Sequence, residues 1–310
     1  MNAHIAVFTK NNAIFETLKE SAAPTNFILH ENPDFDAHPA DGFVICDLET
    51  FLKRKTEFVD IKRHLLFILS GDTDEKNMEY IQKHQLHHVV GLNENIYANE
   101  LMGNLKKVFE RKIWGLQKYL STEADIKTIS LSDSKFTNEM ITESLKHFDF
   151  QDYFASPKEY IEVMANELIS NSLYKGPNKK RHEQGLDTPD RKAPVFLKGS
   201  ELVQVTLGMD DKGVGLSVQD SFGGLNYDTL IASLKRSFNE KTPMEKKDGA
   251  GLGLYLTFLH SNQFIINFRE NFRTEVICII DKNKRYKNYK QRIRSFHFFQ
   301  EVPGEKTDNK

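Results

Sequence analysis

GFVICDLETFLKRKTEFVDIKRHLLFIL, residues Gly42–Leu69, begins and ends in a short run of branched and aromatic side chains. Gly42–Cys46 and Leu65–Leu69 show no polar alternation, the pattern of strands buried on both faces. Two such strands separated by a longer amphipathic stretch predict a crossover connection and therefore a parallel sheet. The alternation continues on both sides. His4–Phe8 reads as a strand, Asn12–Ser21 as a helix and Phe27–His30 as a weaker strand. Beyond Leu69, Asp74–His84 has helical spacing with Met78 and Ile81 on one side, and His88–Gly91 is a last short strand. Five strand units predict a doubly wound α/β domain over residues 1–100, in the flavodoxin-like order. Its functional rim would lie at the carboxyl ends of the strands.

Ala98–Tyr119 predicts a long helix carrying Leu101, Leu105, Val108, Phe109 and Leu116. The run Leu101–Leu120 exceeds what a closing helix needs, so residues 101–125 read as a rigid connector. It serves either as the seam of a homodimer or as an ordinary terminal helix on its own sheet. From Ile126 the pattern changes, and residues 126–281 form a second domain. Ser156–Tyr174 (SPKEYIEVMANELISNSLY) starts a helix, with Ser156 as cap, Pro157 in the first turn and Glu159 at the capping-box position. Tyr160, Val163, Met164, Leu168 and Leu173 would share its apolar face. Pro177–Pro194 is polar with three prolines and reads as a loop. Leu202–Met209, Gly215–Gln219 and Glu275–Ile280 are strand-like, predicting a mixed sheet with helices on one face.

A chain of 310 residues accommodates two domains, and 39% hydrophobic with 28% charged residues excludes wholesale disorder. The formal net charge of −2 argues against a chain that coats nucleic acid. Cys46 and Cys278 lie too far apart for a ligand-spaced metal motif or a disulfide framework. Met1–Phe15 lacks the apolar core of a signal peptide, and the longest apolar runs are strand-length. The expectation is a cytoplasmic protein with no membrane partner.

Three segments of the second half carry chemistry. Glu167-Leu-Ile-Ser-Asn171 places a carboxylate and a carboxamide one helical turn apart. An amide oxygen suits Mg²⁺ bound to phosphates, and a neighbouring carboxylate can act as a general base. Val218-Gln-Asp220-Ser-Phe-Gly223-Gly224 puts an acid at a strand end before a glycine turn, an acceptor for an exocyclic amine. Asp248-Gly249-Ala-Gly251-Leu-Gly253-Leu opens a helix with closely spaced glycines whose amides can cradle phosphates. Each is weak alone; the order and spacing of the three are the signal.

Glu167–Asn171 resembles the N box of the Bergerat-fold ATPases, the superfamily of gyrase, histidine kinases and the mismatch-repair ATPase. Asp220–Gly224 is similar to its first glycine box, Gly249–Leu254 to its second, and Arg273-Thr274-Glu275 to the terminal box whose Thr helps hold adenine. The resemblance implies an α/β sandwich binding ATP and Mg²⁺ beneath a lid, here Leu225–Lys247. It makes Asn171 the Mg²⁺ ligand, Glu167 the general base and Asp220 the adenine reader, with Gly249, Gly251 and Gly253 forming the phosphate turn. Two positions depart from the pattern: Phe222 stands where a glycine is expected, either reshaping or plugging the adenine pocket, and Arg273 replaces another glycine.

The first half resembles a response-regulator receiver, with Asp47 at the place of the phospho-acceptor and Ser70 at that of the hydroxyl. The acidic pair after the first strand is replaced by Phe8-Thr9-Lys10, and Gly91-Leu92-Asn93 occupies the place of the lysine. The reading is a pseudo-receiver in which Asp47 ends a strand. The resemblance as a whole implies a bacterial signalling protein acting on a protein partner. Neither His147 nor His182-Glu183 has the context of an autokinase histidine. Two functions remain: a kinase of the anti-sigma-factor type, with Lys246 or Lys247 offsetting phosphate charge, or a non-catalytic nucleotide-dependent binding module. Residues 282–310 form a basic, aromatic tail expected to dock on the ATPase domain or connector, with nucleic acid the less favoured use.

Overall fold

The computed structural model describes residues 2–34, 42–93, 96–134, 137–175, 195–239 and 252–301. The chain is mixed α/β and divides into two compact units, Met1–Ile113 with Arg292–Phe298, and Trp114–Gln291 with Phe299–Lys310.

In the first unit, strands β1 (Ala3–Phe8), β2 (Phe27–Glu31), β3 (Phe43–Asp47), β4 (Leu66–Ser70) and β5 (His88–Gly91) are parallel, in the order β2-β1-β3-β4-β5. Every residue of β4 is buried, as its unbroken apolar run requires. The crossovers carry helices α1 (Asn12–Ala22), α2 (Leu48–Arg54), α3 (Asp74–His84) and α4 (Ile96–Phe109). The first three start at side-chain caps: Asn11, Asp47 and Thr73 accept from Ala13, Thr50 and Lys76 amides respectively.

The long connecting helix is absent. α4 stops at Phe109 in a Schellman-type cap, with Arg111 left-handed (φ 54°) and the Lys112 amide donating to the Lys107 carbonyl at 2.9 Å. That conformation usually calls for glycine, so the sequence carried no stop signal. Leu101 and Leu105 are fully buried within their own unit. The seam for a homodimer therefore has no continuous helix to form on, and α4 is an ordinary helix on its own sheet.

The second unit contains β6 (Asp125–Leu131), α5 (Thr137–Leu145) and α6 (Pro157–Ser170), which runs into a π-helical turn, Asn171–Lys175. β7 (Val203–Met209), β8 (Gly213–Asp220), α7 (Tyr227–Asn239), α8 (Leu252–Leu259), β9 (Gln263–Arg269), β10 (Arg273–Asp281) and α9 (Tyr286–Gln291) follow. The strands are antiparallel in the order β9-β10-β8-β7-β6. β6 and β9 add to the three strands expected. On α6 the apolar face is rotated from expectation: Ile161 is buried while Val163 is 41% exposed. Ser156 makes no side-chain cap bond.

One face of this sheet carries α6 and α8; the other carries the segment Trp114–Leu120. Gly115, at φ 103°, donates its amide to the Glu275 carboxylate at 2.9 Å. Leu116 then fills the space above Gly208 and Gly215, where any Cβ would collide with it or with Leu120.

The expected docking of the C-terminal tail holds for α9, whose Tyr289 stacks on Phe154 of the second unit with ring centroids 4.4 Å apart, but not for the stretch that follows. After α9 the chain enters a last strand, β11 (Ser295–Gln300), and through Phe298 it belongs to the first unit, antiparallel to β5. Phe296 and Phe298 are buried there, so this stretch docks on a sheet edge and not on the connector. Arg294 pairs with Asp74 at 2.5 Å, and Arg292 and His297 both reach Glu100. Among the described residues, no helix is long and apolar enough to cross a membrane.

Candidate nucleotide site

α6 and β8 converge on a cavity of about 310 Å³ within the second unit. Its apolar walls are Leu168 of α6, Val218 of β8, Leu254 of α8 and Val276 of β10. Its polar groups are Asn171 and Ser172 from the π-helical turn, Asp220 from the end of β8, Thr274 from β10, and Asn226 and Thr229 at the start of α7. An apolar cavity with a few convergent polar groups suits a small ligand fixed by hydrogen bonds.

Asp220 and Thr274 face each other in the β8–β10 register, which brings both to the same wall. Asp220 is 9% exposed. Its carboxylate accepts from the Phe222 amide at 2.9 Å and the Ser172 hydroxyl at 3.3 Å. Burial pushes its pKa up to about 6, against the opposing pull of the Phe222, Gly223 and Thr274 amides and Ser172. The Thr274 hydroxyl is buried with no hydrogen-bond partner among the described residues. An orphaned hydroxyl costs stability unless something fills its need, and here it lies on the cavity wall.

At the other end, the Asn171 amide nitrogen donates to Glu167 at 2.9 Å. That bond uses the amide nitrogen and not the carboxamide oxygen. Glu167 is not a wall of the cavity; its carboxylate lies against Gly253, where a Cβ would overlap the carboxyl group outright. Among the described residues no group of three or more His, Cys, Asp or Glu side chains forms a metal site. A divalent ion here would depend on Asn171 together with ligand phosphates.

The structure thus brings Asn171, Asp220, Gly224 and Thr274 to one cavity. Gly223 has another role: at φ 59° its Cα presses on the β9–β10 turn, where a side chain would strike the Arg269 carbonyl and the Phe272 amide. Gly253 serves α8 and its contact with Glu167. Lys246, Lys247, Asp248, Gly249, Gly251 and His182-Glu183 lie outside the described residues, as do Pro177–Pro194 and the end of the expected lid. Phe222 is buried but does not line the cavity; its amide binds Asp220. Arg273 stacks on Trp114, its guanidinium carbon 5.0 Å from the ring centre. Ser172 and Thr229 were not anticipated. Ser172 adjoins Asn171 in sequence, but its bond to Asp220 spans 48 positions and has no local signature.

In the first unit Asp47 caps α2, accepting from the Thr50 amide at 2.7 Å, the Thr50 hydroxyl at 3.1 Å and the Lys10 amide at 3.3 Å. No family model and no curated protein matches the chain.

Proposed function

We propose that the second unit is an ATP-binding domain of the Bergerat type and that the first is a receiver-like domain without phosphoryl-accepting chemistry. The observation that carries this reading is the facing pair Asp220 and Thr274 beside Asn171, with the Thr274 hydroxyl buried and without a hydrogen-bond partner among the described residues. In this reading Asp220 accepts from the adenine amine, Thr274 donates to or accepts from the ring, and Asn171 holds Mg²⁺ at the phosphates. Bound Mg²⁺ would neutralise phosphate charge. The parallel order β2-β1-β3-β4-β5 supports the receiver-like half, and the use of Asp47 as a helix cap supports its being inert. The protein would act in the bacterial cytoplasm by presenting a nucleotide-dependent surface to a protein partner.

Phosphoryl transfer to that partner, with Glu167 as general base, is the second reading, favoured by the proximity of Glu167 to Asn171. Titration with a fluorescent ATP analogue tests the first reading. Saturable binding strengthened by Mg²⁺ is expected, and Asp220→Ala should weaken it at least tenfold, on the order of one lost charged hydrogen bond. Unchanged binding in Asp220→Ala would remove the adenine assignment. Radiolabelled ATP with wild type and Glu167→Ala tests the second: equal, negligible turnover alongside binding would discard the kinase.

A further inference from the structure

Helix α7 borders the cavity with one polar face. Asn226, which precedes the helix, Thr229 and Ser233 all line the cavity, and they recur at the three- and four-residue spacing that puts side chains on one side of a helix. Leu230, Ile231 and Leu234 are buried, so packing of the apolar face holds the polar one in place. The stripe is neutral, two hydroxyls and a carboxamide. Asp220 is the only ionisable side chain among the described residues that line the cavity, and no lysine or arginine joins it. Hydroxyl and amide groups match a neutral ligand part that both donates and accepts, and a sugar diol is one; phosphates are better served by cationic donors. Asn226 divides its carboxamide between two tasks. The oxygen accepts from the Thr229 amide at 2.9 Å and so caps α7, while the nitrogen, with two N–H donors, takes no part in the cap.

We propose that this stripe reads the sugar of the nucleotide: Asn226 and Thr229, with Ser233 one turn further on, hydrogen-bond the ribose hydroxyls and make the site select ribonucleotides over deoxyribonucleotides. The inference rests on the nucleotide reading of the cavity and adds the identity of the sugar, which that reading leaves open. The base lies at Asp220 and Thr274, and the stripe begins six positions after Asp220 in the same stretch of chain. The Asn226 nitrogen donates to one sugar oxygen, and the Thr229 hydroxyl donates to or accepts from its neighbour. A deoxyribose leaves one of these groups without its partner and binds less tightly. A helix face that merely met water would not distinguish the two sugars.

Calorimetric titration of the full chain with ATP, 2′-deoxy-ATP and 3′-deoxy-ATP, each with Mg²⁺, tests this. Wild type should bind ATP about fivefold more tightly than at least one deoxy analogue, the size of one lost hydrogen bond. Thr229→Val keeps the shape and removes the hydroxyl. Asn226→Ser keeps a capping oxygen and removes the amide donors. Thermal melts establish that both fold. Each variant should lower ATP affinity toward that of the deoxy analogue and leave the latter within about twofold of wild type. Equal affinity of wild type for all three nucleotides would overturn the sugar assignment while nucleotide binding stands, and that comparison requires no variant. A preference for ATP undiminished in both variants would also overturn it, since the ribose would then be read elsewhere. Failure of wild type to bind any of the three would sink the nucleotide reading and this inference with it.

Discussion

Asp220 ties the stability of the fold to pH through one buried side chain. Its pKa of about 6 in the folded chain exceeds the roughly 4 of an unfolded aspartate, because burial disfavours the charge more than its amide donors restore it. The folded state therefore holds the proton longer. The stability this confers is fully present below about pH 4 and is lost as pH rises through about 6. Two pKa units correspond to roughly 3 kcal/mol. Asp220→Asn should thus raise the melting temperature at pH 8 and have little effect at pH 4, measured by scanning calorimetry. In the proposed adenine-reading role Asp220 acts as a carboxylate, so under that proposal ATP affinity of wild type should fall as pH drops below about 6. At this scale the sequence was informative about identity: Asn171 and Asp220 were marked by residue type and spacing, and Thr274 by the resemblance of its segment to the terminal box. It was silent about Ser172, whose only distinction is a partner on another element. It also left open the part played by Gly223, which depends on the approach of the β9–β10 turn.

Elements whose signals are local were legible, and those ended or joined by distant contacts were not. The parallel strands and α1 and α3 follow from apolar runs and helical spacing. α4 ends early because Arg111 takes a conformation usually given to glycine. The segment after it leaves helical geometry because Glu275, a buried carboxylate, draws in the Gly115 amide at 2.9 Å. Glu275 also accepts from Ser217 at 2.7 Å and Asn267 at 2.9 Å, so one side chain joins the segment to three strands of the sheet. Thr274 and Glu275 alternate across β10, the first toward the cavity and the second toward this segment. Glu275→Ala would strand three donors and should cost roughly 3 kcal/mol or more by urea denaturation. If the cost were within about 0.5 kcal/mol, the range of ordinary surface changes, the carboxylate would not anchor the segment.

Across the whole molecule, the first unit is discontinuous in sequence: residues 1–113 are completed by Arg292–Phe298. His88 and His297 lie 209 positions apart with ring nitrogens at 3.3 Å, and burial lowers the pKa of both, against the pull of Glu100 on His297. Their folded pKa values lie below the usual histidine value of about 6.5, so the stability they contribute is present above that pH and is lost as acid protonates them. Ending the chain after Gln291 should remove the partners of Glu100 and Asp74 and bare the β5 edge. The expected outcome is faster amide exchange in β4 and β5 than in the full chain, measured by mass spectrometry, with wild-type exchange there also rising on acidification after correction for the intrinsic pH dependence. Unchanged exchange in the shortened chain would show that β11 is dispensable to the unit. By itself the sequence determined the α/β class and the parallel strands of the first half, and marked Asn171 and Asp220 among the residues that line the cavity, because hydrophobic period, capping and motif spacing act over a few positions. Only the tertiary structure decided the membership of β11, the path of Trp114–Leu120 and the contact of Glu167 with Gly253, because each is a pairing between distant segments whose strength lies in burial that local pattern does not encode.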